Sequence, residues 1–230
     1  MECKIIARIH SDFPTKFGIP RQSGLAETKA EIIFEPGYAS EDAVRGLEGY
    51  SYIWLIWEFS ESVGKKVHPT VRPPRLGGNT RVGVFATRSP FRPNPIGLSS
   101  VRLDSVEIRE GTGPVLHVTG ADLMDGTPIF DIKPYLVYAD SHPDASSGFV
   151  DSAARRSLTV QYRLADGLDP ALIFSEDRLN ALTEVLSQDP RPSYQKDPER
   201  IYGMSFAGHE VKFRVEGEML TVTEITPAAD

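Results

Sequence analysis

The strongest constraint on the fold is a series of short β-branched and aromatic segments separated by turn residues, which continues to about residue 140. The segments are KIIARIHS (4–11), AEIIFEP (30–36), YSYIWLIWEFS (50–60), RVGVFATR (81–88), SVRLDSVEI (100–108) and VLHVTGA (115–121). Among them, SEDAVRGLEG (40–49) has the pattern of one short helix. Many short strands with few helices favour a closed or nearly closed β-barrel over alternating strands and helices.

Three details refine this prediction. The near-continuous apolar run at 50–60 predicts a strand that is buried on both faces. The alternation of apolar residues in 100–108 changes phase at Asp104–Ser105, which predicts a β-bulge. The segment REGTGPV (109–115) predicts a hairpin turn into the next strand.

The segment RSPFRPNP (88–95) interrupts what otherwise looks like barrel wall. Proline donates no hydrogen bond to a strand ladder, so this segment cannot continue the strand pattern on either side of it. We expect barrel strands at GVFAT and LSSVRL, with a rigid basic loop between them over the mouth of the barrel.

The C-terminal third differs in character. A polar stretch of small residues at 141–156 predicts a linker between a barrel domain at 1–145 and a small α+β domain at 155–230. In the second domain, SEDRLNALTEVLSQ (175–188) has a leucine stripe and a capping serine, which predict a helix. The segment at 205–225 predicts a hairpin that turns at EGE (216–218).

Charge is unevenly distributed along the chain. The net charge is −7, yet residues 62–103 contain eight lysines and arginines and no acidic residue. A local basic patch on an acidic body is typical of proteins that bind phosphates or other anions. The alternative is a solvated basic face that pairs with the acidic remainder.

Several protein classes lack support in the sequence. There is no run of about 18 apolar residues and no signal-peptide pattern, and the single cysteine suits a reducing compartment. We therefore expect a soluble cytoplasmic protein. Walker, G-x-G-x-x-G and G-x-S-x-G motifs are absent, and the five histidines are scattered, so we expect neither a Rossmann nucleotide site nor a metal.

Three polar segments rich in turn residues are the candidate site: 13–25, 68–99 and 123–136. Each combines charged side chains with prolines and glycines, which fix the backbone and hold polar groups in place at low entropic cost. Each could be an ordinary turn. Together, two basic segments and one acidic segment are better explained as walls of one site.

These segments also carry a family resemblance. The strings FPTKFGIPRQ, PTVRPPRLGGN, GVFATRSPFRPNPIGLS, DGTPIFDIKPYL and DPRPSYQ closely resemble the TrmO (TsaA/YaeB-like) family, and the resemblance covers nearly the whole chain. It implies a β-barrel methyltransferase that uses S-adenosylmethionine to methylate N6 of N6-threonylcarbamoyladenosine at position 37 of tRNA, beside the anticodon. It also implies a homodimer.

By this resemblance, the cofactor contacts fall on Pro20, Arg21, Gln22, Ser60, Glu61, Arg88, Leu98, Asp125, Gly126, Thr127 and Pro128. The acceptor nitrogen belongs to a urea-like group, which is a poor nucleophile until its proton leaves, so a base would help. The catalytic candidates for this step are Asp131 and Tyr135.

The remaining candidates concern the substrate. Arg92 or Lys133 could pair with the threonyl carboxylate, and Asn94 is held beside Arg92 in the proline-rich loop. The anticodon-arm phosphates would be bound by Lys65, Lys66, Arg72, Arg75 and Arg81. Two alternatives remain open: a methyltransferase for another acceptor, and a barrel that binds RNA or a nucleotide without chemistry.

Overall fold

The structure is a computed structural model that describes residues 2–152, 157–165, 167–192, 195 and 197–228. The strands in these residues are β1 (Ala7–Ser11), β2 (Lys29–Phe34), β3 (Tyr52–Glu58), β4 (Thr70–Val71), β5 (Val82–Gly83), β6 (Ile96–Arg109), β7 (Gly113–Thr119), β8 (Pro128–Pro134), β9 (Thr159–Tyr162), β10 (Tyr202–Phe206), β11 (His209–Glu216) and β12 (Met219–Pro227). The α-helices are α1 (Glu41–Val44), α2 (Val137–Asp140), α3 (Phe149–Ser152) and α4 (Glu176–Ser187). Single 3-10 turns occur at Leu47–Gly49, Ser60–Ser62, Pro74–Leu76, Val84–Ala86 and Pro170–Leu172.

The N-terminal part is a closed antiparallel barrel with the strand order β1-β2-β7-β6-β3-β8. Alternate residues of each strand point inward, which fills the interior with fully buried aliphatic side chains such as Ile9, Ile32, Leu55, Leu116 and Ile129. The predicted β-barrel is confirmed.

The long strand β6 holds the barrel together. Its first half pairs with β3, from Ile96 to Arg102, and its second half pairs with β7. The register of the β6–β7 pair shifts between Leu103 and Ser105, so the predicted bulge is confirmed. The hairpin after Arg109 is also confirmed, with Gly111 and Gly113 in the left-handed region that a tight turn requires.

Residues 81–88 do not form a barrel strand, so that prediction is wrong. Only Val82–Gly83 is extended, and it pairs with β4 in a separate two-stranded sheet. The chain then turns at Val84, whose N–H donates to the Pro69 carbonyl while its side chain is buried. The alternating pattern therefore reflects one buried valine in a turn and not a barrel face.

Two further predictions are corrected in detail. The segment 40–49 is not one helix, because Gly46 takes a left-handed conformation and separates α1 from the 3-10 turn that follows. Strand β3 buries mainly one face, since Ile53, Leu55 and Trp57 point inward while the residues between them are partly exposed.

Strand β8 was not predicted, because its sequence PIFDIKP contains two prolines. The structure places Pro128 at the first residue and Pro134 at the last, where a missing N–H interrupts little of the ladder. The segment 123–136 is therefore a turn only in its first half and barrel wall in its second.

The C-terminal part has its own sheet, with the order β10-β11-β12-β9, and α4 packs on it. The predicted helix and the β11–β12 hairpin are confirmed, whereas β9, which runs parallel to β12, was not predicted. The core of this part includes Phe13 and Ala26, which belong to the loop between β1 and β2. The β1–β2 loop is thus anchored in the second hydrophobic core.

The predicted linker is only partly described. Residues 149–152 form α3, whereas residues 153–156, and with them the predicted start of the second domain at 155, lie outside the described residues. The helices of the described chain are all too short or too polar to span a membrane.

Candidate active site

The β1–β2 loop supplies the first wall of a cleft at the barrel mouth. Phe13 and Pro20 are buried, which fixes the loop at two points. Arg21 donates to the carbonyl of Asp189 at 3.2 Å, and the Gln22 side-chain oxygen accepts a hydrogen bond from Arg88. Arg21 and Gln22 are therefore held by partners from distant parts of the chain.

The second wall follows β3. The 3-10 turn Ser60–Ser62 begins after Phe59, whose N–H donates to the Pro95 carbonyl at 2.8 Å and whose ring packs edge-on against Trp57. This packing directs Ser60 and Glu61 toward the cleft.

The proline-rich loop forms the third wall. Arg92 donates to the carbonyls of Thr87 at 2.6 Å and Val84 at 3.3 Å, and the Thr87 hydroxyl donates to Val84 at 2.8 Å. The Arg92 guanidinium also lies 5.8 Å from the ring centre of Phe85. These contacts hold the loop in one shape, so Arg88 and Arg92 are placed at the cleft by structure as well as by charge.

The three walls enclose a cleft of about 670 Å³. Its apolar walls include exposed side chains of Leu98, Phe91 and Ile96. Its charged lining groups are Lys16, Arg21, Lys65, Arg88, Arg92, Glu58, Glu61 and Asp122. This combination of apolar walls and a few placed polar groups is typical of small-molecule and cofactor sites.

Four of the lining residues, the buried Trp57, Gly97 and Thr127 and the half-buried Asp122, form what we call the cleft floor. Trp57 Nε1 donates to the Ser99 hydroxyl at 3.0 Å, and that hydroxyl donates to Asp122 Oδ1 at 2.6 Å. Gly97 lies directly under the Trp57 ring, because a Cβ at this position would stand 2.2 Å from a ring carbon.

Burial raises the pKa of the Asp122 carboxyl above its ordinary value of 3.8. Hydrogen bonds from Ser99 and from two backbone N–H groups, and the positive charge of Arg88, lower the pKa in part. Asp122 was not among the candidate residues predicted from the sequence. The available signal was a charged residue between the apolar Ala121 and Leu123, both of which are buried.

Most of the predicted cofactor contacts line this one cleft. They are Pro20, Arg21, Gln22, Ser60, Glu61, Arg88, Leu98 and Thr127. The other three members of the set face other parts of the barrel. Asp125 accepts from the Ser11 N–H at 3.1 Å, the Gly126 carbonyl accepts from Arg8, and Pro128 is a buried residue of β8.

The two predicted catalytic residues lie along and beyond β8. Asp131 pairs with Lys133 at 3.0 Å and accepts from the Ile132 N–H at 2.9 Å. The Tyr135 ring packs against Tyr52 and Trp54, with ring centres 6.2 and 5.6 Å away. Both positions are engaged in contacts of their own, and their catalytic role stays a prediction.

The predicted tRNA contacts divide into two groups. Lys65 and Arg92 line the cleft, whereas Lys66, Arg72, Arg81, Asn94 and Lys133 are exposed outside its lining. Arg81 donates to the Thr70 hydroxyl at 3.0 Å, which links it to the β4–β5 sheet. The Arg75 side chain lies outside the described part of the structure.

The described residues contain no group of three or more His, Cys, Asp and Glu side chains that could hold a metal ion.

Comparison with known proteins places the chain among tRNA methyltransferases. The family model for the tRNA-methyltransferase O N-terminal domain matches residues 8–141, and the model for the TrmO C-terminal domain matches residues 173–228. The chain belongs to the tRNA-methyltransferase O family. Apart from Ala7, the first residue of β1, the barrel and its cleft lie within the match to the TrmO N-terminal domain, whereas α4 and strands β10 to β12 lie within the match to the C-terminal one.

Individual TrmO relatives agree. The tRNA (adenine(37)-N6)-methyltransferase of Escherichia coli is 42% identical over 229 residues, with 96% of each chain covered. The enzyme of the same name from Eikenella corrodens is 44% identical over 76% of this chain and 97% of its own length. A crystal structure of TrmO superposes with a TM-score of 0.79 at 32% identity, covering 98% of this chain and 99% of that one.

Proposed function

We propose that this chain transfers a methyl group from S-adenosylmethionine to N6 of N6-threonylcarbamoyladenosine at position 37 of tRNA. The observation that carries the proposal is the cleft at the barrel mouth, where three walls from distant parts of the sequence surround the half-buried carboxyl of Asp122. As a member of the TrmO family, the chain is an S-adenosylmethionine-dependent tRNA methyltransferase.

The residues present fit the cofactor. The cleft volume is within the range of about 300–1,000 Å³ for small-molecule sites. Its exposed apolar walls suit an adenine ring. S-adenosylmethionine supplies, when bound, a methyl group on a positively charged sulfur. The residues that would hold it are Pro20, Arg21, Gln22, Ser60, Glu61, Arg88, Leu98 and Thr127.

The chain's own residues act chiefly by positioning. Loops fixed by buried anchors and by carbonyl-bound arginines hold the two reactants in one orientation and exclude water, and such positioning replaces a bimolecular encounter. A role for Asp125, Gly126 and Pro128 in cofactor binding, through the shape of the turn that carries Thr127, belongs to the same proposal.

The basic side chains in and around the cleft support the choice of tRNA as the partner. Lys65 lines the cleft, Lys66 follows it in an exposed position, and Arg72 and Arg81 lie beside the β4–β5 sheet. Their charges suit the phosphates of an anticodon arm, while Arg92 or Lys133 suits the threonyl carboxylate. Asn94 belongs to the same proposed surface, and so does Arg75 on sequence grounds.

We further propose that the protein works as a homodimer in the cytoplasm. A group of exposed apolar and aromatic side chains around β3 and α2 supports this, namely Tyr50, Tyr52, Val137 and Tyr138. Light scattering of the purified protein tests the dimer. A monomer at micromolar concentration would contradict it.

Nucleoside mass spectrometry of tRNA from a strain that lacks the gene tests the acceptor. Loss of the N6-methylated threonylcarbamoyladenosine, and its return when the gene is restored, is the expected result. An unchanged nucleoside profile contradicts the proposed acceptor and favours a methyltransferase for another one. Calorimetric titration with S-adenosylmethionine tests the alternative that the protein is a non-enzymatic barrel that binds RNA or a nucleotide. Such a barrel would not bind S-adenosylmethionine, so measurable binding would exclude it.

A further inference from the structure

We propose that the carboxylate of Asp122 accepts the proton that N6 of the substrate releases during methyl transfer. The inference rests on the proposed function, because it concerns the acceptor of that reaction. It assigns the base to the cleft floor, where the Asp122 carboxylate accepts a hydrogen bond from the Ser99 hydroxyl, which itself accepts one from Trp57.

The geometry supports this role. A base must lie within hydrogen-bond reach of the proton it takes, and Asp122 is the carboxyl in the floor of the cleft. The other carboxyls that line the cleft, Glu58 and Glu61, belong to the end of β3 and to the 3-10 turn after it. The cations that line it are Lys16, Arg21, Lys65, Arg88 and Arg92. Of these, Arg88 acts on the Asp122 carboxyl.

The donor chain from Trp57 fixes the carboxylate. The Ser99 hydroxyl donates to Asp122 Oδ1 and in turn accepts a hydrogen bond from the buried indole of Trp57, so Oδ1 is held in one orientation. Burial makes the carboxylate a stronger base than one in water, which suits removal of a proton from a urea-like nitrogen.

N6 gains the methyl carbon, the electron pair of the broken carbon–sulfur bond stays on sulfur, and the N6 proton passes to the Asp122 carboxylate. The resulting neutral carboxylic acid returns its proton to water through the open side of the cleft. No oxidant, reductant or metal is needed.

The first test compares Asp122→Asn with the wild type on tRNA that carries threonylcarbamoyladenosine. We expect kcat to fall about a hundredfold or more, since a positioned base contributes roughly that factor. Binding of S-adenosylmethionine, measured by calorimetry, is expected to change less than about threefold. Asp144→Asn, an exposed carboxyl outside the cleft, is the matched control.

The second test uses Ser99→Ala, which keeps the carboxyl and removes a hydrogen bond that lowers its pKa. The acidic limb of the kcat–pH profile is expected to move to higher pH. Ser100→Ala, one residue further along β6, is expected to leave the profile in place.

A third test measures stability and needs no enzymatic activity. Because the folded pKa of Asp122 is raised, ionisation destabilises the folded state, so the melting temperature of Asp122→Asn relative to the wild type should rise as pH increases above about 4.

The outcomes separate the two proposals. If the wild type transfers no methyl group to this tRNA, the proposed acceptor is wrong. If the wild type is active and Asp122→Asn keeps its kcat, or Ser99→Ala leaves the pH profile unmoved, the Asp122 inference alone is wrong. Loss of rate in Asp131→Asn or Tyr135→Phe with Asp122→Asn fully active would likewise overturn it.

Discussion

At the residue scale, a single glycine sets the shape of the cleft floor. Gly97 faces Trp57 across the β3–β6 pair, and the indole occupies the space that any side chain would need. The absence of a Cβ lets Trp57 lie flat and reach Ser99, which in turn holds Asp122. The glycine at position 97 therefore leaves the space that Trp57 needs to make the hydrogen bonds of the cleft floor.

We expect Gly97→Ala to displace the Trp57 ring and to destabilise the fold by about 1–3 kcal/mol, the usual cost of overpacking. Urea unfolding of the two proteins measures the difference. Gly83→Ala is the control, because nothing lies within 4 Å of its added Cβ. Equal stability of the two variants would mean that the ring moves without cost.

A second residue-scale prediction concerns the outside of the barrel. Arg109 and His117 contact Glu107 and lower the pKa of its carboxyl to about 2, and Arg109 also lowers the pKa of Glu31. A carboxyl with a lowered pKa stabilises the fold above its unfolded value of 4.5, and that stabilisation is lost as pH falls toward 2.

Glu107→Gln should therefore lower the melting temperature slightly at neutral pH, and the difference from the wild type should shrink between pH 4.5 and 2. The effect is small because the groups are well exposed. Differential scanning calorimetry across this range checks it, with the exposed Glu110→Gln as the control. A difference that stays constant with pH would exclude Glu107 as its source.

At the element scale, helix α4 supports the β1–β2 loop, which forms the first wall of the cleft. Arg178 makes two 3.0 Å contacts with Asp12, the Glu184 carboxylate accepts from the Glu27 N–H at 2.7 Å, and Gln188 donates to the Leu25 carbonyl at 2.9 Å. The helix and its C-cap residue Gln188 thus hold both ends of the loop that carries Pro20–Gln22.

Arg178→Ala should weaken binding of S-adenosylmethionine about two- to fivefold, since a bidentate surface pair contributes up to about 1 kcal/mol. The side chain lies outside the cleft lining, so the effect would act through the loop. Calorimetric titration measures it, with the exposed Arg214→Ala on β11 as the matched control. An unchanged affinity for S-adenosylmethionine would show that the buried residues Phe13 and Pro20 hold the loop in place without the Arg178–Asp12 pair.

The same elements show what the sequence could and could not predict. The bulge at Asp104–Ser105 and the helix α4 follow from local patterns, which one stretch of chain contains in full. Asp122 did not stand out, because its environment depends on Ser99, 23 residues away, and on a loop nearly a hundred residues earlier. Strand β9 was missed for a similar reason, since its parallel partner β12 comes much later in the chain.

At the scale of the whole molecule, charge is segregated. The chain has a net charge of −7, yet five cations line the cleft and further basic side chains follow the segment 62–103. An acidic body repels tRNA in general, while the basic segment attracts phosphates near the cleft. Orientation of the substrate would follow from this asymmetry.

We expect Lys66→Ala to weaken tRNA binding and to reduce the slope of log K against log salt concentration by about one. Filter binding at several salt concentrations measures the slope. Lys4→Ala removes an exposed lysine outside the basic segment and should leave the slope unchanged. Equal slopes for both variants would show that Lys66 does not contact tRNA phosphates.

The division of the chain into domains at 1–145 and 155–230 stays a prediction.

The anchoring of Phe13 and Ala26 in the second core has a consequence for synthesis. The barrel strands all precede residue 135, so the barrel can close while the ribosome is still translating the rest of the chain. The core that holds the β1–β2 loop needs β12, which ends at Pro227. A nascent chain would thus have a folded barrel with an unanchored β1–β2 loop, and this loop would pack into its core only after β12 has left the ribosome.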